Sequence, residues 1–172
     1  GADKDGDGMP DELEDVRDVL EAAHPMLTDL FSFYAAQHGD FRGVTLNEWT
    51  DFVGDFELSS KASRFCKPRD MDTLFYEIKA ASANYKREQA REAKRSGPSK
   101  ASKPVETFDL AKALTRHEFM TAIVHLAIKR YVMTGEMPDV SDALHHLLFN
   151  DIQPEIDRAA DYPDPNAFRE EH

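Results

Sequence analysis

Near the start of the chain, Asp3, Asp5, Asp7, Asp11 and Glu14 place carboxylates at positions one, three, five, nine and twelve of a twelve-residue stretch. Met9 adds a main-chain carbonyl at position seven, and Gly8 stands at position six, where such a loop must turn sharply. Calcium is a hard cation that takes about 6 to 8 oxygens, and this spacing supplies them, with Asp11 acting directly or through water and Glu14 in bidentate fashion. Ca2+ is therefore the expected cofactor, held by Asp3, Asp5, Asp7, Met9, Asp11 and Glu14. Pro10 fills position eight and has no N–H to give to a neighbouring loop. Only Gly1 and Ala2 precede the loop, so the reading is a half-site in a piece of a longer protein, of weak affinity because little preorganises it. The competing reading is a plain acidic terminus.

A second chemistry lies in the charge distribution. The formal net charge is -12, yet Lys86, Arg87, Arg91, Lys94, Arg95, Lys100 and Lys103 face only Glu88 and Glu92 between positions 86 and 103. Seven basic residues against two acidic give a local +5 and leave -17 for the remainder. An acidic chain is a poor general binder of nucleic acid, because phosphate contacts need clustered cations. Lys86, Arg87, Arg91, Lys94 and Arg95 are instead candidates for contact with an acidic protein surface, against the simpler reading of a solvated helix face.

Catalysis is not expected. His117-Glu118-Phe119-Met120-Thr121 lacks the second histidine of a zinc-protease motif, and His125 follows His117 too late to supply it. His145 and His146, adjacent on a helix, point in different directions. The chain carries no glycine-rich phosphate loop, nucleophile elbow or Cys/His cluster. Its single cysteine, Cys66, can form no internal disulfide, which points to a reducing compartment such as the cytoplasm, with Cys66 as a buried apolar side chain. No apolar run is long enough to span a bilayer, so no membrane partner is expected.

The elements that position these residues read as helices. Of 172 residues 41% are hydrophobic, enough for a real core, and apolar positions recur at helical spacing without sustained strand alternation. The expected fold is all-α: an EF-hand-like paired helix-loop-helix core with additional N- and C-terminal helices. Leu13, Val16, Leu20 and Ala23 form one face, and His24-Pro25 ends or kinks that helix. Met26, Leu27, Leu30, Phe31 and Tyr34 follow, then Trp49, Phe52, Val53 and Phe56 on a short helix. Met71, Leu74, Phe75, Ile78 and Tyr85 mark a longer helix that can run on through the basic stretch to the break at Ser96-Gly97-Pro98. Residues 96–104 read as a mobile loop. Phe119, Ile123, Leu126 and Ala127 mark the most apolar helix, and Val140, Leu144, Leu147 and Leu148 the last, with Ser141 as its expected cap. An extended tail is expected from Pro163.

Two segments repeat: Val44-Thr45-Leu46-Asn47-Glu48-Trp49 and Leu114-Thr115-Arg116-His117-Glu118-Phe119, each apolar-Thr-x-x-Glu-aromatic. Each is a capping box, Thr followed three residues later by Glu, and each matches the second half of an EF-hand loop, whose eighth position bridges to its partner loop. Counting back from Glu48 and Glu118 finds Gln37, Gly39 and Phe41, and Thr107, Asp109 and Ala111, at the first three ligand positions. That is too little negative oxygen for calcium in the usual way, so the two loops read as degenerate hands kept for shape. The organisation expected is a calcium-type half hand over 1–24, a degenerate pair over 25–135 with a basic insertion at about 82–106, and a C-terminal helix and acidic tail over 136–172.

The segments Phe31-Ser32-Phe33-Tyr34-Ala35-Ala36-Gln37-His38-Gly39-Asp40, Asp70-Met71-Asp72-Thr73-Leu74-Phe75-Tyr76-Glu77-Ile78-Lys79 and Leu114-Thr115-x-x-Glu118-Phe119, continuing to Lys129-Arg130-Tyr131, resemble the tubulin polymerisation-promoting protein family, a degenerate EF-hand group. The resemblance covers about residues 27–81 and 112–131. It implies binding and bundling of microtubules.

Two functions follow as expectations. The first is a non-enzymatic, calcium-binding protein-interaction module of a larger cytoskeletal or ciliary protein, holding an amphipathic helix or a filament, with Met71, Phe75 and Met120 as candidates for its groove if exposed, though at this spacing such side chains are more often plain core. The second is a tubulin-binding module that acts through residues 86–103 with no role for calcium.

Overall fold

The computed structural model describes residues 11–37, 42–95 and 112–160. It is mostly helical, as the periodicity predicts. The helices are α1 (Asp11–Ala22), α2 (His24–Gln37), α3 (Leu46–Asp55), α4 (Pro68–Arg95), α5 (Arg116–Ala127), α6 (Val140–His146) and α7 (Gln153–Ala160). Two short strands, β1 (Val44–Thr45) and β2 (Ala113–Leu114), pair antiparallel, with Val44 opposite Leu114 and Thr45 opposite Ala113. These are the apolar-Thr positions of the repeat and the residue before one of them, so the two loops are stitched at the expected place.

Helices α1 and α2 meet at Ala23. Main-chain bonds from the Ala23 N–H to the Val19 oxygen (3.0 Å) and from the Leu27 N–H to the Ala23 oxygen (2.9 Å) carry the ladder across the junction. Pro25, which cannot donate, sits in the first turn of α2, where a missing N–H costs little. Helices α3 and α5 start at capping boxes: the Thr45 N–H donates to Glu48 Oε2 at 3.1 Å, and the Thr115 N–H to Glu118 Oε1 at 2.9 Å.

Helix α3 ends with the left-handed residue Glu57 (φ 52°). The Leu58 N–H donates to the Val53 oxygen (2.9 Å) and the Glu57 N–H to the Gly54 oxygen (3.1 Å), the paired bonds of a Schellman ending, with Glu57 where glycine is favoured. Helix α5 passes into a π-helical turn over Ile128–Val132, and a second π turn, Leu147–Ile152, joins α6 to α7. The last helix thus extends well past Leu148. Its cap is Asp139 rather than Ser141: Asp139 has extended backbone (φ -100°, ψ 129°), whereas Ser141 lies inside the first turn. The Ser141 N–H and hydroxyl both donate to Asp139 Oδ1, at 2.8 and 2.7 Å, and those bonds hold the Asp139 carboxyl below the usual range.

One continuous core joins α1 to α7. Its centre is Phe119, whose ring meets Phe52 at 5.3 Å, Phe31 at 5.9 Å and Trp49 at 6.2 Å, mostly edge-to-face. Trp49 and Phe119 are the aromatic positions of the two repeats, so the repeats meet both at their strands and through their first core side chains. The Trp49 indole N–H, fully buried, donates to the Met71 oxygen at 3.0 Å and ties α3 to the start of α4.

Candidate functional site

Three surfaces bear on function: the paired loops, the far half of α4, and a groove beside α2.

At the paired loops, Glu118 and Glu48 are both buried. Glu118 Oε1 accepts from the Thr115 N–H and from Lys79 Nζ, the latter at 2.8 Å, with side-chain exposures of 12% for Lys79 and 5% for Glu118. Burial by itself would raise the Glu118 carboxyl. The Lys79 ammonium, the Ser82 hydroxyl and the Thr115 N–H outweigh it and hold the group below its ordinary value. Position twelve of this loop therefore faces an ammonium from α4, a positive charge supplied from within the chain. Of the earlier loop positions, Gln37 ends α2 and the others lie outside the described residues.

The calcium-type loop falls mostly outside the described residues, which leave out Asp3, Asp5, Asp7 and Met9. Asp11 is the first residue of α1, and Glu14 lies three positions on, one turn along the same helix. Among the described residues, no group of three or more His, Cys, Asp or Glu side chains converges as a metal site.

Ile78 is the last buried residue of α4, which stays beside Glu118 through Lys79 and Ser82 and runs on to Arg95. Every residue from Ala83 to Arg95 is exposed, Lys86, Arg87, Arg91, Lys94 and Arg95 among them. With Glu88 and Glu92 between them, this arm carries a net +3 on a strongly acidic protein. Tyr85, 62% exposed, accepts from the Gln89 side chain at 2.6 Å and is a surface residue rather than part of the core. Lys100 and Lys103 lie outside the described residues.

Met71, Phe75 and Met120, candidates for a partner groove, take the plainer core reading. Met71 and Phe75 are buried and Met120 is half-buried against the same core. Met71 and Phe75 lie where α4 packs against α3 and α5, and Met120 lies on α5 itself. An apolar groove of about 880 Å³ lies elsewhere, between α2, the end of α3 and α7. Met26, Leu30, Phe33 and Tyr34 form its α2 wall, Phe56 closes one side, and Ile156 and Ala159 form the α7 wall. Phe33 is 60% exposed, a large apolar ring left to solvent. The Tyr34 hydroxyl donates to Asp55 Oδ2 at 2.6 Å, and burial, then that bond and the Asp55 charge, push the phenol upward. Sequence reading missed this groove because α7 lies beyond the apolar run that defined the last helix. The only sequence signal was Phe33, an aromatic off the buried stripe of α2.

Other polar groups among the described residues join elements of the fold. Arg130 Nη1 donates to the Leu58 oxygen (3.1 Å) and Arg130 Nε lies 3.5 Å from Asp151, while the Tyr131 hydroxyl donates to Asp151. Burial, then the Asp151 bond, pushes the Tyr131 phenol up to about 12. The Lys129-Arg130-Tyr131 ending thus ties α5 to the second π turn. Cys66 is buried, and burial raises its thiol above the ordinary value. His145 packs beside Phe149, and His146 beside Tyr131 with its Nδ1 2.8 Å from the Asn150 amide nitrogen, so the two rings diverge. Among the described residues, no helix is long and apolar enough to cross a membrane.

No family model, curated protein or solved structure matches the chain.

Proposed function

We propose that this chain is a non-enzymatic protein-interaction module built on an EF-hand-like pair, which engages an acidic protein surface through the α4 arm. What carries the reading is the arm itself: more than a dozen exposed residues of helix, with five cations and no apolar stripe to bury, projecting from an acidic body. A helix that is polar all round serves as a solvent-bridging or contact element rather than as part of a core. A cytoskeletal or ciliary filament with an acidic surface, such as polymerised tubulin, fits that charge. The test is co-sedimentation with microtubules. Binding should weaken as salt is raised and vanish in an Arg87→Glu/Arg91→Glu/Arg95→Glu variant, since exposed charge pairs are screened over about 10 Å at 0.1 M salt. Binding equal in the variant would sink the reading.

Calcium has a place in the same module. The carboxylate spacing of the Asp3–Glu14 pattern, with Glu14 on α1, supports a loop that holds Ca2+ through Asp3, Asp5, Asp7, Met9, Asp11 and Glu14. Calorimetric titration in excess magnesium should show one site, absent in Glu14→Gln. Absence of heat in both proteins would reduce the segment to an acidic terminus and leave the arm as the functional element.

A further inference from the structure

We propose that the groove between α2, the end of α3 and α7 is a docking site for a basic amphipathic helix of a partner protein. This rests on the reading of the chain as an interaction module, but on a different surface from the α4 arm. Three observations converge. The first is shape: the α2 wall runs from Met26 to Gln37, so the groove follows three turns of helix, about 16 Å, the length of a partner helix of about eleven residues. The second is chemistry. Its floor and walls are apolar, with Leu30 and Tyr34 buried and Phe33 open to solvent at the edge, the arrangement that receives side chains spaced i, i+3, i+4 and i+7.

The third is charge, which selects the occupant. Asp29, Asp55 and Glu155 rim the groove against Arg158 alone. Arg158 Nη2 lies 3.1 Å from Glu155 Oε1, so those two charges offset each other and Asp29 and Asp55 remain. A helix with Lys or Arg flanking its apolar stripe complements that rim. The chain's own residues 161–172 do not: they carry Asp161, Asp164, Glu170 and Glu171 against Arg169. The α4 arm of a second copy has the right sign, but between Ala83 and Arg95 its apolar residues are three alanines and Tyr85, too few anchors for an apolar groove.

The experiment uses the full chain and two synthetic fourteen-residue helices that share one Leu/Phe stripe, one with lysines on its other face and one with glutamates. Fluorescence anisotropy should show the lysine peptide binding and the glutamate peptide at least tenfold weaker. Phe33→Ser and Asp29→Lys should each weaken the lysine peptide at least tenfold. Asp142→Lys, an exposed acid on α6, should leave it unchanged, which separates groove binding from general attraction to an acidic protein. The Arg87→Glu/Arg91→Glu/Arg95→Glu variant should bind the peptide as well as the parent does, so loss of filament binding and loss of groove binding are distinct results. The proposal is overturned if the two peptides bind alike or if Phe33→Ser has no effect. It is also overturned if Tyr162→Ser/Phe168→Ser tightens peptide binding tenfold, which would give the groove to the chain's own last residues. Sedimentation showing a dimer that Phe33→Ser dissociates would give it to a second copy and overturn it equally.

Discussion

Lys79→Met removes the ammonium that faces Glu118 across the paired loops and leaves a carboxylate, 5% exposed, with only hydroxyl and main-chain donors. Breaking a buried pair from one side costs about 3–5 kcal/mol, because the remaining charge stays desolvated. For a chain of this size, at about 2–4 °C per kcal/mol, a melting point lower by ~10 °C is expected. The pH dependence carries more information than the size. In the parent protein the Glu118 pKa is held below its unfolded value of about 4.3. Its contribution to stability is therefore full above that pH and is lost as pH falls through the folded pKa. Without Lys79, burial dominates and the folded pKa rises above the unfolded one, so the variant loses stability as pH rises through the raised value. Urea unfolding followed by the fluorescence of Trp49, the single tryptophan, should show a deficit that is larger at pH 7 than at pH 5. Glu118→Gln in the Lys79→Met background should restore most of the loss, since an amide oxygen still caps the Thr115 N–H. A deficit under about 1 kcal/mol, or one equal at both pH values, would refute the account of Glu118 as a buried anion balanced by Lys79.

Glu57→Gly should stabilise the fold by about 0.5–1 kcal/mol, because Glu57 holds a left-handed conformation at the Schellman ending that glycine adopts freely; thermal melting checks it. Phe119→Ala should cost about 3–5 kcal/mol by emptying the centre of the aromatic cluster, and denaturant unfolding should show a lower midpoint with little change in slope. Asp139→Ala should cost about 1 kcal/mol through loss of the α6 cap, whereas Ser141→Ala, which leaves the Asp139 carboxylate accepting from the main chain at residue 141, should cost less. Cys66 should react with a thiol reagent only at the rate at which the native structure opens, since its thiol is buried and its pKa raised; prompt stoichiometric labelling of the folded protein would contradict its placement.

Local chemistry made part of this architecture legible in the sequence. The capping boxes at Thr45 and Thr115 act over three residues, so the starts of α3 and α5 could be read directly, as could the helix boundary just before Pro25 and the long run of α4. The apolar-Thr repeat also foretold the Val44–Leu114 bridge, because two matching loop halves bury the same positions. The local signal misled at Ser141, where a competent capping residue lies two positions after Asp139 and backbone conformation decides between them.

Packing decided the rest. A helical period shows which face of a helix is apolar but not what covers it, so the core reading of Met71 and Phe75, the plainer one from their spacing, is decided only by α3 and α5 packing over them. The Lys79–Glu118 pair joins residues 39 positions apart, and no local pattern encodes which buried carboxylate an ammonium will meet. The groove depends on α7, beyond Leu148, standing beside α2, residues more than a hundred positions apart in the chain. The sequence by itself determined the helical character, the starts of α3 and α5 and the twofold repeat, because those rest on contacts within a few residues. Only the tertiary structure decided which side chains are left facing solvent, because that depends on every other element in the core.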